Sequence, residues 1–112
     1  MEIIFYRYEA VQYVVHDVDG ELILPEFPNP TVKLKKYDML KETPKGYWIG
    51  DKHFPEVMYK WISKTSKKKF AYPTKQDALL NFIRRTQKRI KILEYQIIFC
   101  KMALNVTERI KQ

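Results

Sequence analysis

After Pro73 the chain runs for 39 residues with neither glycine nor proline. Nothing else in the sequence restricts the fold as strongly, because those two residues are the usual interruptions of a helix. Thr74-Lys75-Gln76-Asp77 has the form of a capping box with Asp in place of Glu, and Pro73 blocks helix on its N-terminal side. Leu79, Ile83, Thr86, Ile90, Leu93, Ile97, Cys100 and Leu104 follow at alternating spacings of 4 and 3, a heptad seam with one polar interruption, Thr86. A second stripe, Ile92, Tyr95, Phe99, Met102 and Val106, gives more apolar surface than packing on one sheet requires. A continuous helix of this length would measure about 58 Å. A globule of this chain length has a radius of gyration of only about 14 Å. Either the helix breaks, near Asn105-Val106-Thr107, or its far half pairs with another chain. The doubled apolar surface favours pairing and predicts a homo-oligomer built on this helix.

The residues before Pro73 read as extended chain. Between residues 2 and 15, Ile3, Ile4, Phe5, Tyr6, Tyr8, Val11, Tyr13, Val14 and Val15 supply β-branched and aromatic side chains. Asp17-Val18-Asp19-Gly20 is turn chemistry, and residues 21–24 form a short return strand. Three prolines among residues 25–30 require a loop. Residues 31–42 read as strand, Thr43-Pro44-Lys45-Gly46 as a turn, and Tyr47-Trp48-Ile49 as a short strand. Residues 56–63 alternate Val57, Tyr59 and Trp61 against Met58, Lys60 and Ile62, and residues 68–72 are expected to close a hairpin on them. The fold class is therefore α+β: one domain over residues 1–112, with an antiparallel sheet of five or six strands in 1–73 and a helical region in 74–112 that mediates oligomerisation.

Composition narrows the function. The three glycines, Gly20, Gly46 and Gly50, cannot spell a Walker A loop or a dinucleotide fingerprint. One cysteine, Cys100, excludes an intrachain disulfide and a Cys-rich zinc site, and fits a reducing compartment. No apolar run is long enough to span a bilayer, and Met1-Glu2-Ile3 does not open a signal peptide, so no membrane partner and a cytoplasmic location are expected. The net charge of +8 is unevenly spread. Residues 1–30 carry six acids and one base, residues 31–73 eleven lysines and four acids, and residues 74–112 nine bases and three acids. A basic surface over the later two-thirds would attract anions such as nucleotides, nucleic acid or an acidic protein. The same lysines also serve solubility.

Three constellations stand out. Lys64-Thr65-Ser66-Lys67-Lys68-Lys69-Phe70-Ala71-Tyr72 combines point charges and hydroxyls for phosphate with an aromatic face for a base. It equally describes an exposed lysine hairpin with Phe70 and Tyr72 in the core. Around Thr43-Pro44-Lys45-Gly46-Tyr47-Trp48, Lys45 would project from a fixed turn beside a stacking wall, or Trp48 would be buried beneath a surface turn. On the early helix, Lys75, Asn81, Arg84, Arg85, Lys88 and Arg89 form the third, with Asn81 and Arg85, and Arg85 and Arg89, four apart, so that one face presents an amide and two guanidiniums. That face also reads as solvated surface opposite the seam. His16, Asp17 and Asp19 lack the rest of a calcium loop, His53 has no identifiable partner, and Cys100 lies on the seam. No metal, no cofactor and no catalytic constellation is indicated; the chain reads as a non-enzyme.

Residues 40–49, LKETPKGYWI, and 61–75, WISKTSKKKFAYPTK, together with 78–85 and 90–94 resemble stretches of small proteins encoded by bacteriophages and prophages. The layout is also similar to the phage sponges that antagonise Thoeris immunity. That resemblance implies a homo-oligomer, acting inside an infected bacterial host, that sequesters cyclic ADP-ribose isomers without cleaving them, in a pocket where sheet and helix of neighbouring subunits meet. It implies roles for Lys45, Phe70, Asn81 and Arg85. With the residue reading, Lys45, Arg84 and Arg85 would neutralise phosphate, Phe70 or Trp48 would stack on the base, and Asn81 would read a polar edge. The acidic first thirty residues match no motif of those proteins, and lysine predominates where an adenine-nucleotide pocket would use arginine. Two alternatives belong to other classes. One is a basic nucleic-acid-binding accessory protein, or an inhibitor of a nucleic-acid enzyme; the other is a virion component that uses the helix for assembly.

Overall fold

The computed structural model describes residues 3–12, 15–23 and 28–111. Expectations for Glu2, for extended chain at Tyr13 and Val14, for strand at Leu24 and for loop at residues 25–27 lie outside them. The protein is α+β. Among the described residues six strands precede one helix: β1 (Ile4–Val11), β2 (Val15–His16), β3 (Leu22–Ile23), β4 (Thr31–Glu42), β5 (Gly46–Gly50), β6 (Met58–Ser63) and α1 (Lys75–Lys111). The strands make two antiparallel sheets rather than one of five or six: a four-stranded sheet in the order β1-β4-β5-β6, and a separate β2-β3 ribbon. The ribbon turns on Asp17, whose Oδ1 accepts from the N–H groups of Asp19 and Glu21, and on Gly20 at φ 83°. Those bonds to the Asp17 carboxylate close a local turn.

Register explains which side chains form the core. Phe5 faces Tyr37, Met39 faces Ile49, and Tyr47 faces Ile62, so these residues share one face of the sheet. Phe5, Ile49, Ile62 and Ala71 are buried, with Tyr37, Met39, Tyr47 and Phe70 packed against them. Pro44 and Lys45 form the two-residue loop between β4 and β5, closed by Thr43 N–H to Gly46 O (2.8 Å) and Gly46 N–H to Thr43 O (3.3 Å).

The expected hairpin after β6 does not form. Residues 64–72 instead cross the core face of the sheet. Lys64 N–H bonds Lys45 O beside β5, and at the far end Tyr72 exchanges both backbone bonds with Tyr6 on the outer edge of β1 (2.7 and 2.9 Å). The aromatic alternation that suggested a strand serves this crossing: Ala71, not its neighbours, is fully buried, and Phe70 is only partly covered. Crossing satisfies the edge of β1, which would otherwise present unpaired backbone groups there.

Contacts group the chain into two compact units, residues 1–79 and 80–112. Helix α1 begins in the first and makes up the second. Thr74 caps it, with Asp77 N–H donating to Thr74 Oγ1 (3.1 Å), and Ala78 is its one buried residue among those described. The helix does not break at Asn105-Val106-Thr107; its 37 residues span about 55 Å.

Candidate functional site

Phe70 organises the most structured polar-aromatic cluster of the first unit. Tyr37 and Tyr59 stack nearly parallel, 5.6 Å between centroids and 8° between planes. Phe70 meets both edge-on or tilted, at 5.5 and 5.8 Å. Arg7 lies with its guanidinium carbon 4.3 Å from the Phe70 centroid and donates through Nη1 to Phe70 O (2.6 Å). Its Nε donates to Glu9 Oε1, and Glu9 Oε2 pairs with Lys35 Nζ, both at 2.8 Å. Lys35 and then Arg7 hold the Glu9 carboxyl below the usual carboxylate value, and Glu9 in turn raises the Lys35 ammonium. Burial, reinforced by the Glu9 charge, raises the Tyr37 phenol above its usual value.

The tyrosine pair also walls a cleft of about 610 Å³. Its opposite side is the β5–β6 loop, which contributes Phe54 and Val57, both well exposed. Lys36 and Lys52 line it, as do Asp38 and Asp51. The loop is held by Lys52 N–H to Asp38 Oδ2 and His53 N–H to Asp51 Oδ1, each 2.9 Å. This volume falls in the range of small-molecule sites, about 300–1,000 Å³. Aromatic walls suit a flat ring, lysines a phosphate, and carboxylates sugar hydroxyls or an exocyclic amine. Among the described residues, no three His, Cys, Asp or Glu side chains cluster as a metal would require.

None of the six residues singled out from sequence is among those that line this cleft. Lys45 is exposed in the β4–β5 loop, and its carbonyl accepts from Lys64. Trp48 pairs with Trp61 and points away from Ile49, hence to the face of the sheet opposite Phe70. Phe70 and Trp48 therefore cannot sandwich one base, and only Phe70 borders the tyrosine pair. Asn81, Arg84 and Arg85 lie on α1 in the second unit. Asn81 Oδ1 accepts from Arg85 Nε (2.8 Å), and the Arg85 guanidinium lies 5.6 Å from the Phe82 ring centroid, while Arg84 is exposed. In the lysine-rich segment the hydroxyls serve their own backbone. Ser63 Oγ accepts from the N–H groups of Thr65 and Ser66, and Ser66 Oγ donates to Lys68 O. Lys64 binds Glu42 (2.7 Å), which raises its pKa.

Tyr37, Tyr59, Lys36, Lys52 and Phe54 were missed because the signal that joins them is a bulge. Between Ile49↔Lys60 and Gly50↔Met58 the register slips, leaving Tyr59 as the extra residue. Tyr59 and Lys60 thus both reach Phe70, which strict alternation forbids. Comparison with protein families, with curated proteins and with solved structures finds no match to this chain. No helix among the described residues is long and apolar enough to cross a membrane.

Proposed function

We propose that this protein captures a small nucleotide without transforming it, with the base against the Tyr37–Tyr59 wall and phosphate near Lys52 on the β5–β6 loop. The observation that carries this reading is the cleft itself: a ligand-sized volume lined by aromatic, cationic and carboxylate residues. The phage-sponge resemblance of the sequence selects cyclic ADP-ribose isomers as the nucleotide class, with the infected host's cytoplasm as the setting. Lys45, Trp48, Phe70, Asn81, Arg84 and Arg85 are the competing set, and substitution separates the two.

The test is thermal denaturation of the full chain with cyclic ADP-ribose isomers, with AMP and with a short DNA duplex. A ligand at about 100 times its dissociation constant adds about 2.7 kcal/mol, enough for a midpoint rise of several degrees. A rise with the cyclic nucleotide that Tyr59→Ala abolishes supports capture in the cleft; Tyr59 is exposed, so that variant should fold. A rise insensitive to Tyr59→Ala but lost in Asn81→Ala moves the site to the helix. A response to DNA alone, vanishing in high salt, replaces nucleotide capture with the nucleic-acid reading favoured by the nine bases of residues 74–112.

A further inference from the structure

Beyond residue 85 every described residue of α1 is exposed, and so is every member of the heptad seam from Leu79 onward. Exposure rises from 42% at Leu79 and Ile83 to 65% at Leu104, so an unbroken helix leaves its apolar face bare for most of its length. In heptad terms Ile83, Ile90, Ile97 and Leu104 occupy a positions, and Leu79, Thr86, Leu93 and Cys100 occupy d. β-Branched residues at a with leucine at d are the combination that favours two parallel strands.

Two further observations identify the occupant of this face. Flanking the seam, Arg89 is a g residue and Glu94 the e residue five positions on. In a parallel, in-register pair, each Arg89 meets the Glu94 of the other copy, so these two flanking positions are charge-complementary in that orientation. The polar interruption is also neutralised. Thr86 Oγ1 donates to Phe82 O within its own helix (2.9 Å), so its hydroxyl enters a buried layer already bonded. In register, Thr86 meets Thr86 and Cys100 meets Cys100. Antiparallel pairing would set these small side chains against larger a residues and leave the layers uneven.

We infer that α1 binds the α1 of a second copy of this chain as a parallel, in-register two-stranded coiled coil along the seam from Leu79 to Leu104. This does not depend on the nucleotide reading, and its readouts are independent of any ligand.

Cys100 is the one cysteine and an exposed thiol, so the native chain carries its own register reporter. Only in the parallel, in-register pair do two Cys100 thiols share a layer. The full chain at micromolar concentration is treated with a short bismaleimide or mild oxidant and measured by intact mass, with light scattering on the untreated protein. A dimeric or even-numbered species, and conversion of most of the chain to a Cys100-linked dimer, is the expected result. Arg89→Glu should raise the dissociation constant several-fold, and the swap Arg89→Glu with Glu94→Arg should restore it. A monomer up to 100 µM overturns the inference. So does an oligomer whose Cys100 fails to cross-link, or one indifferent to Arg89→Glu, since either means another orientation or another face. The parent protein alone decides the first two outcomes, so no variant's folding limits the test.

Discussion

Gly46 shows how a single residue can be dictated by a neighbour rather than by a turn angle. Its φ is not positive, and a Cβ added there would overlap Ile62 O and lie 2.5 and 2.6 Å from Trp61 Cζ2 and Cε2. The indole can move, but the carbonyl belongs to the β5–β6 pairing and cannot. Gly46→Ala should therefore cost about 2–3 kcal/mol, read as a lower urea midpoint with unchanged slope. Glu9 makes a different kind of prediction. Its carboxyl is held below 4.5 by Lys35 and Arg7, so the folded state binds its proton less readily than the unfolded chain does. The stability it contributes is present above about pH 4.5 and is lost as pH falls through the lowered value. Glu9→Gln should be less stable than the parent at pH 7, with the two converging in an acid denaturation series as pH falls through the lowered value. Parallel curves across that range would mean the ion pairs with Arg7 and Lys35 do not contribute.

At the scale of elements, what the sequence disclosed depended on how local the cause was. The capped helix start at Thr74, the Pro44-Lys45 turn, where Gly46 N–H also donates to Thr43 Oγ1, and the Asp17 turn each rest on bonds within a few residues, and all were legible. The crossing of residues 64–72 was not, because its cause lies 66 residues away, in the bonds between Tyr72 and Tyr6. Nor was the cleft, whose tyrosine wall needs a one-residue slip at Gly50 that no periodicity announces. The helix lies between these cases: its seam was legible, while its continuity past Asn105 was favoured only by the doubled apolar surface and by no local signal. At 100° per residue the stripe of Ile92, Tyr95, Phe99, Met102 and Val106 is centred roughly 160° round the helix from the seam. A seam-paired dimer therefore still presents that stripe outward. Native protein should bind a hydrophobic dye such as ANS strongly, and Tyr95→Lys with Phe99→Glu should remove most of that signal while leaving Cys100 cross-linking intact. A dye signal that survives the double substitution would place the exposed apolar surface elsewhere.

For the molecule as a whole, charge sets three responses to salt that differ in sign or size. Each helical segment from residue 74 onward carries nine bases against three acids, so pairing two copies brings like charges together, and the Arg89–Glu94 contacts offset only part of that repulsion. Raising salt shortens the screening length from about 10 Å at 0.1 M to about 3 Å at 1 M. Repulsion summed over a long helix is damped more than contact pairs are, so added salt should tighten the dimer. Nucleic acid held by the same bases should behave oppositely, its affinity falling by orders of magnitude over the same range through counterion release. A nucleotide in the cleft, facing two lysines and two carboxylates, involves few net charges and should change least. Sedimentation of the protein alone, with AMP-class ligand, and with duplex DNA, each at 0.05 and 0.5 M salt, separates the three. Dissociation of the dimer by salt would be the informative failure. It would mean that attraction between unlike charges, rather than the apolar seam, holds the copies together.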